Sequence, residues 1–248
     1  REVGFGTTVS VGYVGRVGLH LERTRDLNQL PVGTLKDPAN AGINANALRP
    51  YKGFASIDMR ETATRSEYHG LQIEATRRFA DGLSFGAAYT YAKAMDNGSD
   101  FRARLYDSFD ATSYWGPSNS DTRHVAVVNF VYELPWLRDG NAWMSKVLGN
   151  WQVSGVSQFQ TGTPFTVGTG DDFAGIGSSD AQPWEINSNP VLDHGSRKFS
   201  ESNLDSNYYF LRYNPDGTPI FTVPADGTFS KTQTRNMFYQ PGFQNWNL

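Results

Sequence analysis

Apolar and polar residues alternate with a period of two in several stretches of this chain. In residues 83–91, for example, Phe85 and Tyr89 lie on the side opposite to Thr90. Such alternation is typical of a β-strand with one apolar and one polar face. It predicts six principal antiparallel strands near residues 5–14, 54–79, 83–95, 121–134, 150–160 and 236–248. No helical stripe of comparable length occurs, so we expect an all-β chain.

The alternation also assigns side chains to the two faces of the predicted sheet. We expect a convex, lipid-facing set that consists of Leu71, Ile73, Phe85, Ala87, Val128 and Phe130. The opposite set, on the concave face, consists of Gln72, Glu74, Asn129, Gln152 and Gln158. If the apolar set lined the concave side, the chain would instead form a soluble barrel or sandwich.

The connections between the predicted strands differ greatly in length. Ala80-Asp81-Gly82 predicts a tight hairpin turn in which Gly82 supplies a positive φ. The connections 15–52, 96–120 and 161–235 are far longer than those of most compact soluble domains. Short turns that alternate with long loops are typical of outer-membrane β-barrels, in which the long loops are extracellular. A soluble sandwich explains the alternation equally well, but it does not explain these loop lengths.

The directions of the strands make a further prediction about residues 54–79. Strand 5–14 leads into the long loop 15–52, and 68–79 leads into the short turn at residues 80–82. Because these two connections lie at opposite ends of the barrel, an odd number of membrane crossings must separate them. We therefore expect 54–79 to be one strand whose outer part, 54–67, rises above the membrane. A small extracellular hairpin in that outer part is the alternative.

Aromatic residues lie near the ends of the predicted strands. The set at the short-turn end is Phe79, Trp136 and Trp151, and the set toward the long loops is Tyr13, Tyr89, Tyr91 and Phe159. Aromatic residues collect in this way where strands meet lipid headgroups. Their positions favour a membrane barrel over a soluble sandwich.

Composition removes several other classes of protein. Aromatic residues make up 14% of the 248 residues and charged residues 19%, which argues against a disordered chain. No run approaches the ~18 apolar residues of a spanning helix. The formal net charge of -3 provides no general attraction to nucleic acid. The chain has 0 cysteines, so disulfide scaffolds, thiolate zinc sites and cysteine nucleophiles are excluded.

Motifs for catalysis are weak or incomplete. The histidines show no metal-binding spacing, and we interpret them as surface or barrel-wall residues, with a metal site or general base as the alternative: His20, His69, His124 and His194. The segment 155–159 lacks the second glycine of a nucleophile elbow and is interpreted as a strand. Two glycine pairs complete no phosphate-binding motif and are interpreted as loop glycines: Gly168-Thr169-Gly170 and Gly175-Ile176-Gly177.

Two acidic groups contain the oxygen ligands that Ca²⁺ prefers. They are Asp96-Asn97-Gly98-Ser99-Asp100, and Asp171-Asp172 with Asp180. We interpret both as solvated loop residues, with a calcium site as the alternative. The sequence therefore predicts no catalytic, cofactor-binding or metal-binding residue, no cofactor and no enzymatic activity, and it leaves substrate-binding residues unassigned.

Several segments together resemble one protein family. They are Tyr68-His69-Gly70-Leu71-Gln72, Arg77-Arg78-Phe79, Gly82-Leu83-Ser84-Phe85, Tyr89-Thr90-Tyr91-Ala92-Lys93-Ala94, Tyr13-Val14-Gly15, Arg25-Asp26-Leu27-Asn28-Gln29, Asp121-Thr122-Arg123-His124, Gly149-Asn150-Trp151-Gln152-Val153-Ser154-Gly155, Thr161-Gly162-Thr163-Pro164-Phe165, Thr234-Arg235-Asn236 and 241–248. Taken in their order along the chain, they resemble TonB-dependent receptors of the Oar-like group, over most of the chain.

The resemblance implies an incomplete domain. Residues 1–248 would be a partial β-barrel domain of a TonB-dependent receptor, with about six strands of a probable 22-stranded transmembrane barrel and long extracellular loops. The plug domain and the chain ends of the full receptor would be absent. An open sheet edge is unfavourable in lipid, so we do not expect the fragment to work in a membrane alone.

The resemblance also implies a function and a location. The protein would bind and import a solute across the outer membrane of a Gram-negative bacterium. Its partners would be outer-membrane lipid, the TonB complex through the missing plug region, and an unknown solute at the extracellular loops, but no nucleic acid. The main alternative is a structural or adhesive surface barrel without transport. A soluble carbohydrate-active β enzyme is third, and the sequence offers it no convincing pair of carboxylates.

Overall fold

Six long strands form one antiparallel sheet in the computed structural model of the protein, which describes residues 1–100, 103–135, 151–178, 180–190 and 213–248. The order in the sheet is β1-β2-β3-β5-β6-β13, and the short β4 pairs with β3. These long strands are β1 (Thr7–Asp26), β2 (Asp58–Ala80), β3 (Leu83–Asp96), β5 (His124–Glu133), β6 (Gln152–Gln160) and β13 (Phe243–Asn247).

The remaining elements are short and lie in the connections. The two-residue strands are β4 (Gly116–Pro117), β7 (Pro164–Phe165), β8 (Gly168–Thr169), β9 (Gln182–Pro183), β10 (Glu185–Ile186), β11 (Phe221–Thr222) and β12 (Phe238–Tyr239). One α-helical turn spans Ala45–Leu48, and 3-10 turns span Thr34–Lys36, Pro38–Asn40 and Thr112–Tyr114. Helix accounts for 6% of the structure and strand for 48%, so the predicted all-β class is confirmed.

Residues 58–80 form one continuous strand, as the directions of the strands predicted. Its partner β1 is longer than predicted, because pairing continues beyond Val14 up to Asp26, opposite Asp58. The register shifts near His20, whose φ of 58° marks a bulge in β1. The outer part of this β1–β2 ribbon therefore extends beyond the end of β3 at Asp96. The predicted end of the first strand at residue 14 was wrong.

The hairpin between β2 and β3 has the predicted tight turn. Asp81 and Gly82 have φ values of 52° and 78°. Two successive positive φ values are those of a type I′ turn, which matches the twist of the flanking strands. Because every neighbouring pair of long strands is antiparallel, β1, β3 and β6 run in one direction. The long connections that follow these three strands therefore leave the same end of the sheet.

The register separates the side chains into the two predicted sets. Directly opposed residues of an antiparallel pair lie on the same face of the sheet. The apolar face, as we call it, includes the rows Val11–Ile73–Tyr89–Ala126–Phe159, Val9–Ala75–Ala87–Val128–Ser157–Trp246, Tyr13–Leu71–Tyr91–His124 and Phe85–Phe130. The polar face includes the rows Ser10–Glu74–Ala88–Val127–Gln158–Asn245, Gly12–Gln72–Thr90–Val125–Gln160 and Glu133–Gln152. Which of the faces is convex stays a prediction.

The apolar face is mostly exposed on β1 and half-buried on most of the inner strands, and it is not packed as a core. Val11 is 65% exposed and Tyr13 67%, although both lie inside a long strand. Nearly all the buried apolar side chains lie instead in the connections: Leu30, Leu105, Ala174, Ile176 and Ile220. A soluble sandwich has the opposite distribution, because its apolar strand faces form the core.

The predicted strand 236–248 is divided into two parts. β12 pairs with β7, whereas β13 pairs with β6. Between them, Pro241 has no backbone N–H to donate to a strand partner. A Cβ at Gly242 would lie only 2.7 Å from the carbonyl oxygen of Gln160, so the chain passes too close to β6 for a side chain. The prediction of one continuous strand here was wrong.

The sheet does not close into a barrel within the described residues. β1 and β13 are its outermost strands, and each pairs with one long neighbour. In the part of the chain that the structure describes, no helix is both long and apolar enough to cross a membrane.

Candidate functional site

The three long connections pack against one another beyond the strand ends. We define the loop layer as the described residues of 27–57, 97–123 and 161–242. Backbone hydrogen bonds join its first and third loops: Leu30 N to Ile176 O (3.1 Å), Gly33 N to Ala174 O (2.7 Å) and Leu35 N to Gly175 O (3.0 Å). These contacts hold side by side two loops that are more than a hundred residues apart in the sequence.

Asp26, at the end of β1, is a buried carboxylate that contacts the loop layer. It is 4% exposed. Its Oδ1 accepts hydrogen bonds from the backbone N–H groups of Asn28 (2.8 Å) and Ile57 (2.9 Å). Its Oδ2 lies 3.5 Å from Arg49 Nη1 and 3.3 Å from Arg104 Nη2. One buried anion thus holds both ends of the first loop and a cation from the second.

The two arginines extend this network to the third loop. Arg49 donates from Nη2 to the carbonyl oxygen of Gly177 (2.6 Å). The Nε of Arg104 lies 3.0 Å from an oxygen of Asp180, and its Nη2 lies 3.2 Å from Asp58. All three loops are therefore joined by charges that are partly or fully removed from water, where electrostatic interactions are strong.

A second buried ion pair joins the third loop to the end of β3. Arg235 Nη2 donates to Asp96 Oδ1 at 2.7 Å, and Nη1 donates to the carbonyl oxygens of Asp96 (2.8 Å) and Tyr114 (3.1 Å). Nη2 also donates to the hydroxyl of Ser99. The guanidinium carbon lies 5.0 Å from the centre of the Tyr114 ring, which is a cation–π contact.

A third cluster surrounds Asp121. Tyr239 donates to Asp121 Oδ2 at 2.6 Å, and Arg123 donates to the Tyr239 hydroxyl at 2.9 Å. Asp121 Oδ1 accepts the backbone N–H of Ala94 at 2.6 Å, so the cluster is fixed to β3. Burial and the adjacent carboxylate of Asp121 raise the pKa of Tyr239 to about 12, so its hydroxyl stays protonated.

A cavity of about 200 Å³ lies between the second and third loops. Aromatic rings and polar side chains both contribute to its wall, among them Ser99, Asp100, Tyr106, Tyr114, Asn119 and Asn236. Asp100 and Asn119 are exposed, so the cavity is open to solvent on their side.

Aromatic and histidine side chains contact one another on the apolar face, near the long-loop end. Tyr13 Oη lies 2.5 Å from His69 Nδ1, and Tyr89 Oη lies 2.7 Å from His124 Nδ1. The ring of Tyr91 lies 5.1 Å from that of His124. The predicted aromatic group at the long-loop end is confirmed for these tyrosines. Of the group predicted at the short-turn end, Trp136 lies outside the described residues.

The three described histidines do not meet at one site. His20 lies on β1, and His69 and His124 lie on β2 and β5 in separate tyrosine contacts, as expected for barrel-wall residues. His194 lies outside the described residues. The glycines Gly175 and Gly177 are loop glycines, as predicted, with φ values of 65° and 73°.

The two acidic groups are solvated only in part: Asp100 and Asp171 are exposed, as the sequence predicted, whereas Asp96, Asp172 and Asp180 have partners within the protein. Asp96 is 4% exposed because Arg235, which lies 139 residues further along the chain, covers it. Asp172 accepts hydrogen bonds from the backbone N–H groups of Ile176 (3.0 Å) and Gly177 (2.7 Å), and Asp180 pairs with Arg104. Among the described residues, no three or more His, Asp or Glu side chains are placed to hold a metal ion.

Sequence reasoning did not identify the buried arginines that organise the loop layer. Arg49, Arg104 and Arg235 lie in connections without any regular pattern, and each contacts carboxylates or carbonyls that are distant in sequence. Only the local motif at residues 234–236 drew attention to one of them, and it gave no indication of a partner.

Glu185, on β10, holds the segment 230–233 of the third loop. Its carboxylate accepts hydrogen bonds from the backbone N–H groups of Lys231 (2.9 Å) and Thr232 (3.1 Å) and from the hydroxyls of Ser230 and Thr232. Burial acts to raise the pKa of Glu185, but these hydrogen bonds outweigh it and lower the pKa below the usual value for a glutamate.

We expect acid to release this segment. Because the pKa of Glu185 is lowered by folding, its contribution is fully present above the pKa of an unfolded glutamate, about 4.3, and is lost as the pH falls through the lowered value. The measurement is the hydrogen-exchange protection factor of the Lys231 and Thr232 amides between about pH 6 and about pH 3. A Glu185→Gln control should have low protection over the whole range. Protection of the unmodified protein that does not change with pH would contradict this role of Glu185.

One comparison with known proteins gives a match. The sequence profile of a family described as "Outer membrane beta barrel domain" matches residues 1–248. No curated protein and no solved structure matches the chain.

Proposed function

Because this chain belongs to the family of outer membrane beta barrel domains, we propose that it is part of a receptor that binds a solute and imports it across the membrane with energy relayed by TonB. The protein is located in the outer membrane of a Gram-negative bacterium, and the lipid of that membrane is a partner of the chain. In this proposal the chain binds and passes the solute without converting it chemically.

The loop layer is the observation that carries the proposal. Three loops that are joined by buried charges form a packed structure with an open cavity, at the end of the sheet where outer-membrane barrels have their extracellular loops. A barrel that only anchored the protein would need no such packed layer. Loops that are held in one arrangement can present fixed hydrogen-bonding groups to a solute, which lowers the entropic cost of binding.

The assignment to TonB-dependent receptors of the Oar-like group is supported by sequence segments alone. Two of these segments also have prominent places in the structure. Arg235, of the segment 234–236, forms the ion pair with Asp96, and Asp121, of the segment 121–124, accepts from Tyr239. A receptor of this kind has a plug in its lumen, and the polar face of the sheet would line that lumen.

The proposal is tested by uptake in the bacterium that encodes the protein. Strains that lack this gene, strains that lack TonB and the parent strain are grown in the same medium, and depletion of solutes is measured by mass spectrometry. We expect at least one solute to be depleted by the parent strain and to remain with both deletions. The complete reading frame should also encode a plug and a TonB-contacting segment.

A structural or adhesive surface barrel is the rival function. It predicts that deletion of the gene leaves solute depletion unchanged and reduces attachment of the cells to surfaces. That result, or a depletion defect that does not appear in the strain without TonB, would contradict the import proposal.

A further inference from the structure

The size of the cavity in the loop layer limits what it can hold. Its volume is about 200 Å³. This lies below the range of pockets that enclose drug-sized ligands, about 300–1,000 Å³. The cavity therefore fits a single small ring and excludes a large chelator as a whole.

One wall of the cavity is aromatic. The rings of Tyr106 and Tyr114 lie 5.2 Å apart, and Phe229 supports Tyr106 from behind at 5.3 Å. The Tyr114 hydroxyl donates to the carbonyl oxygen of Arg104 at 3.1 Å, so this polar tip has a partner within the loop. Burial raises the pKa of both tyrosines, and both rings are therefore uncharged at neutral pH.

The other wall is a chain of hydrogen bonds that ends in a carboxylate. Asn236 Nδ2 donates to Asn119 Oδ1 at 2.7 Å, and Asn119 Nδ2 donates to Asp100 Oδ2 at 2.7 Å. Among the described residues, Asp100 Oδ1 has no donor of its own. These bonds orient Asn119 and leave Asp100 at the mouth of the cavity with one oxygen available to a hydroxyl group.

The charge of the cavity argues against an anionic ligand. Arg235 lines it, but both of its terminal nitrogens already donate to Asp96, Ser99 and the carbonyl oxygen of Tyr114. Among the residues that the structure describes, a phosphate or carboxylate would therefore meet the free oxygen of Asp100 without an available guanidinium. A cation would meet Arg235, which already lies over the Tyr114 ring at 5.0 Å.

From these features we propose that the cavity binds one neutral monosaccharide ring. The C–H groups of such a ring pack on Tyr106 and Tyr114, and its hydroxyls donate to Asp100 and exchange hydrogen bonds with Asn119. The inference rests on the proposed solute-binding function and names the class of solute for this site.

Saturation-transfer NMR on the full-length protein in detergent micelles tests the inference. The probes are the methyl glycosides of glucose, galactose and mannose, with putrescine and methyl phosphate, whose methyl protons can be observed, as the charged alternatives. We expect magnetisation transfer to the ring C–H protons of at least one glycoside and none to putrescine. Asp100→Asn should raise the Kd of that glycoside about tenfold or more, because a charged acceptor is lost while the bond from Asn119 is kept.

Asp107→Asn is the matched control. Asp107 lies in the same loop, accepts the backbone N–H of Phe109 and does not line the cavity. The Asp107→Asn variant should therefore bind the glycoside with the same Kd as the unmodified protein. Tyr106→Leu is a second variant, which keeps an apolar wall without a ring and should also weaken binding. Heat-modified migration in gels confirms that each variant retains its barrel.

Three results would overturn the inference: no transfer to any glycoside, stronger binding of putrescine or methyl phosphate, or equal losses with Asp100→Asn and Asp107→Asn. None of them decides whether the protein imports a solute. TonB-dependent depletion of a solute other than a sugar would leave the import proposal standing while this site assignment fails.

Discussion

Replacement of Asp26 by alanine is expected to destabilise the loop layer by about 3–5 kcal/mol, the usual cost of removing one partner from a buried ion pair. The change removes the acceptor of two backbone N–H groups and leaves Arg49, which is 5% exposed, without its carboxylate. Because Asp26 and Arg49 are both almost fully buried, water is poorly placed to take over the lost interactions.

The opening free energy of the loop layer is the quantity to measure, from native-state hydrogen exchange of the Leu30 and Leu105 amides in the full-length protein. Both amides are bonded within the loop layer or to its β1 support. Asp58→Ala is the matched control, because Asp58 lies opposite Asp26 in the register and contacts the same Arg104, at 3.2 Å, but its side chain is 49% exposed. We expect the control to cost about 0–1 kcal/mol. Similar costs for the two variants would show that Asp26 is not the centre of the network.

Val128→Arg is expected to destabilise the complete barrel in lipid by about 2–4 kcal/mol, as for other arginines near the middle of a lipid-facing strand. Val128 lies on the apolar face near the middle of β5, between Ala87 of β3 and Ser157 of β6. An arginine there faces hydrocarbon without a partner or water.

Val127→Arg is the control, with the same two residue types one position earlier. Val127 lies on the polar face between Ala88 and Gln158, so we expect this change to be nearly neutral. Strand propensity and loop effects cancel between the two variants, and the folding free energy in lipid vesicles isolates the effect of the face. A larger cost at Val127 would mean that the lipid-facing and lumen-facing sides have been exchanged.

The strands and their faces could be predicted from the sequence because the signal for them is local. Alternation in 83–91 or 68–79 depends on neighbouring residues only, and Asp81-Gly82 specifies its own turn. The same signal in fact continued into the outer part of β1, where Val17 and Leu19 are apolar at alternate positions. The prediction ended the strand at residue 14, whereas pairing continues through a register shift beyond Gly18, which local alternation does not reveal.

The loop layer could not be predicted, because its contacts join positions that no local pattern relates. Asp96 and Arg235 are 139 residues apart, and Arg49 and Gly177 are 128 apart. An acidic residue in a polar loop is usually solvated, and Asp96 was therefore predicted to be solvated. Only the folded arrangement shows that a cation replaces that water.

The buried charges that join the three loops also determine how antibodies would recognise the loop layer. The outer part of this protein consists of residues from three separate segments, and backbone bonds such as Leu30 N to Ile176 O hold them side by side. We expect epitopes there to be discontinuous. Antibodies raised against a synthetic peptide from one loop should bind the denatured chain well and intact bacteria poorly, whereas immunisation with the folded barrel should give the reverse.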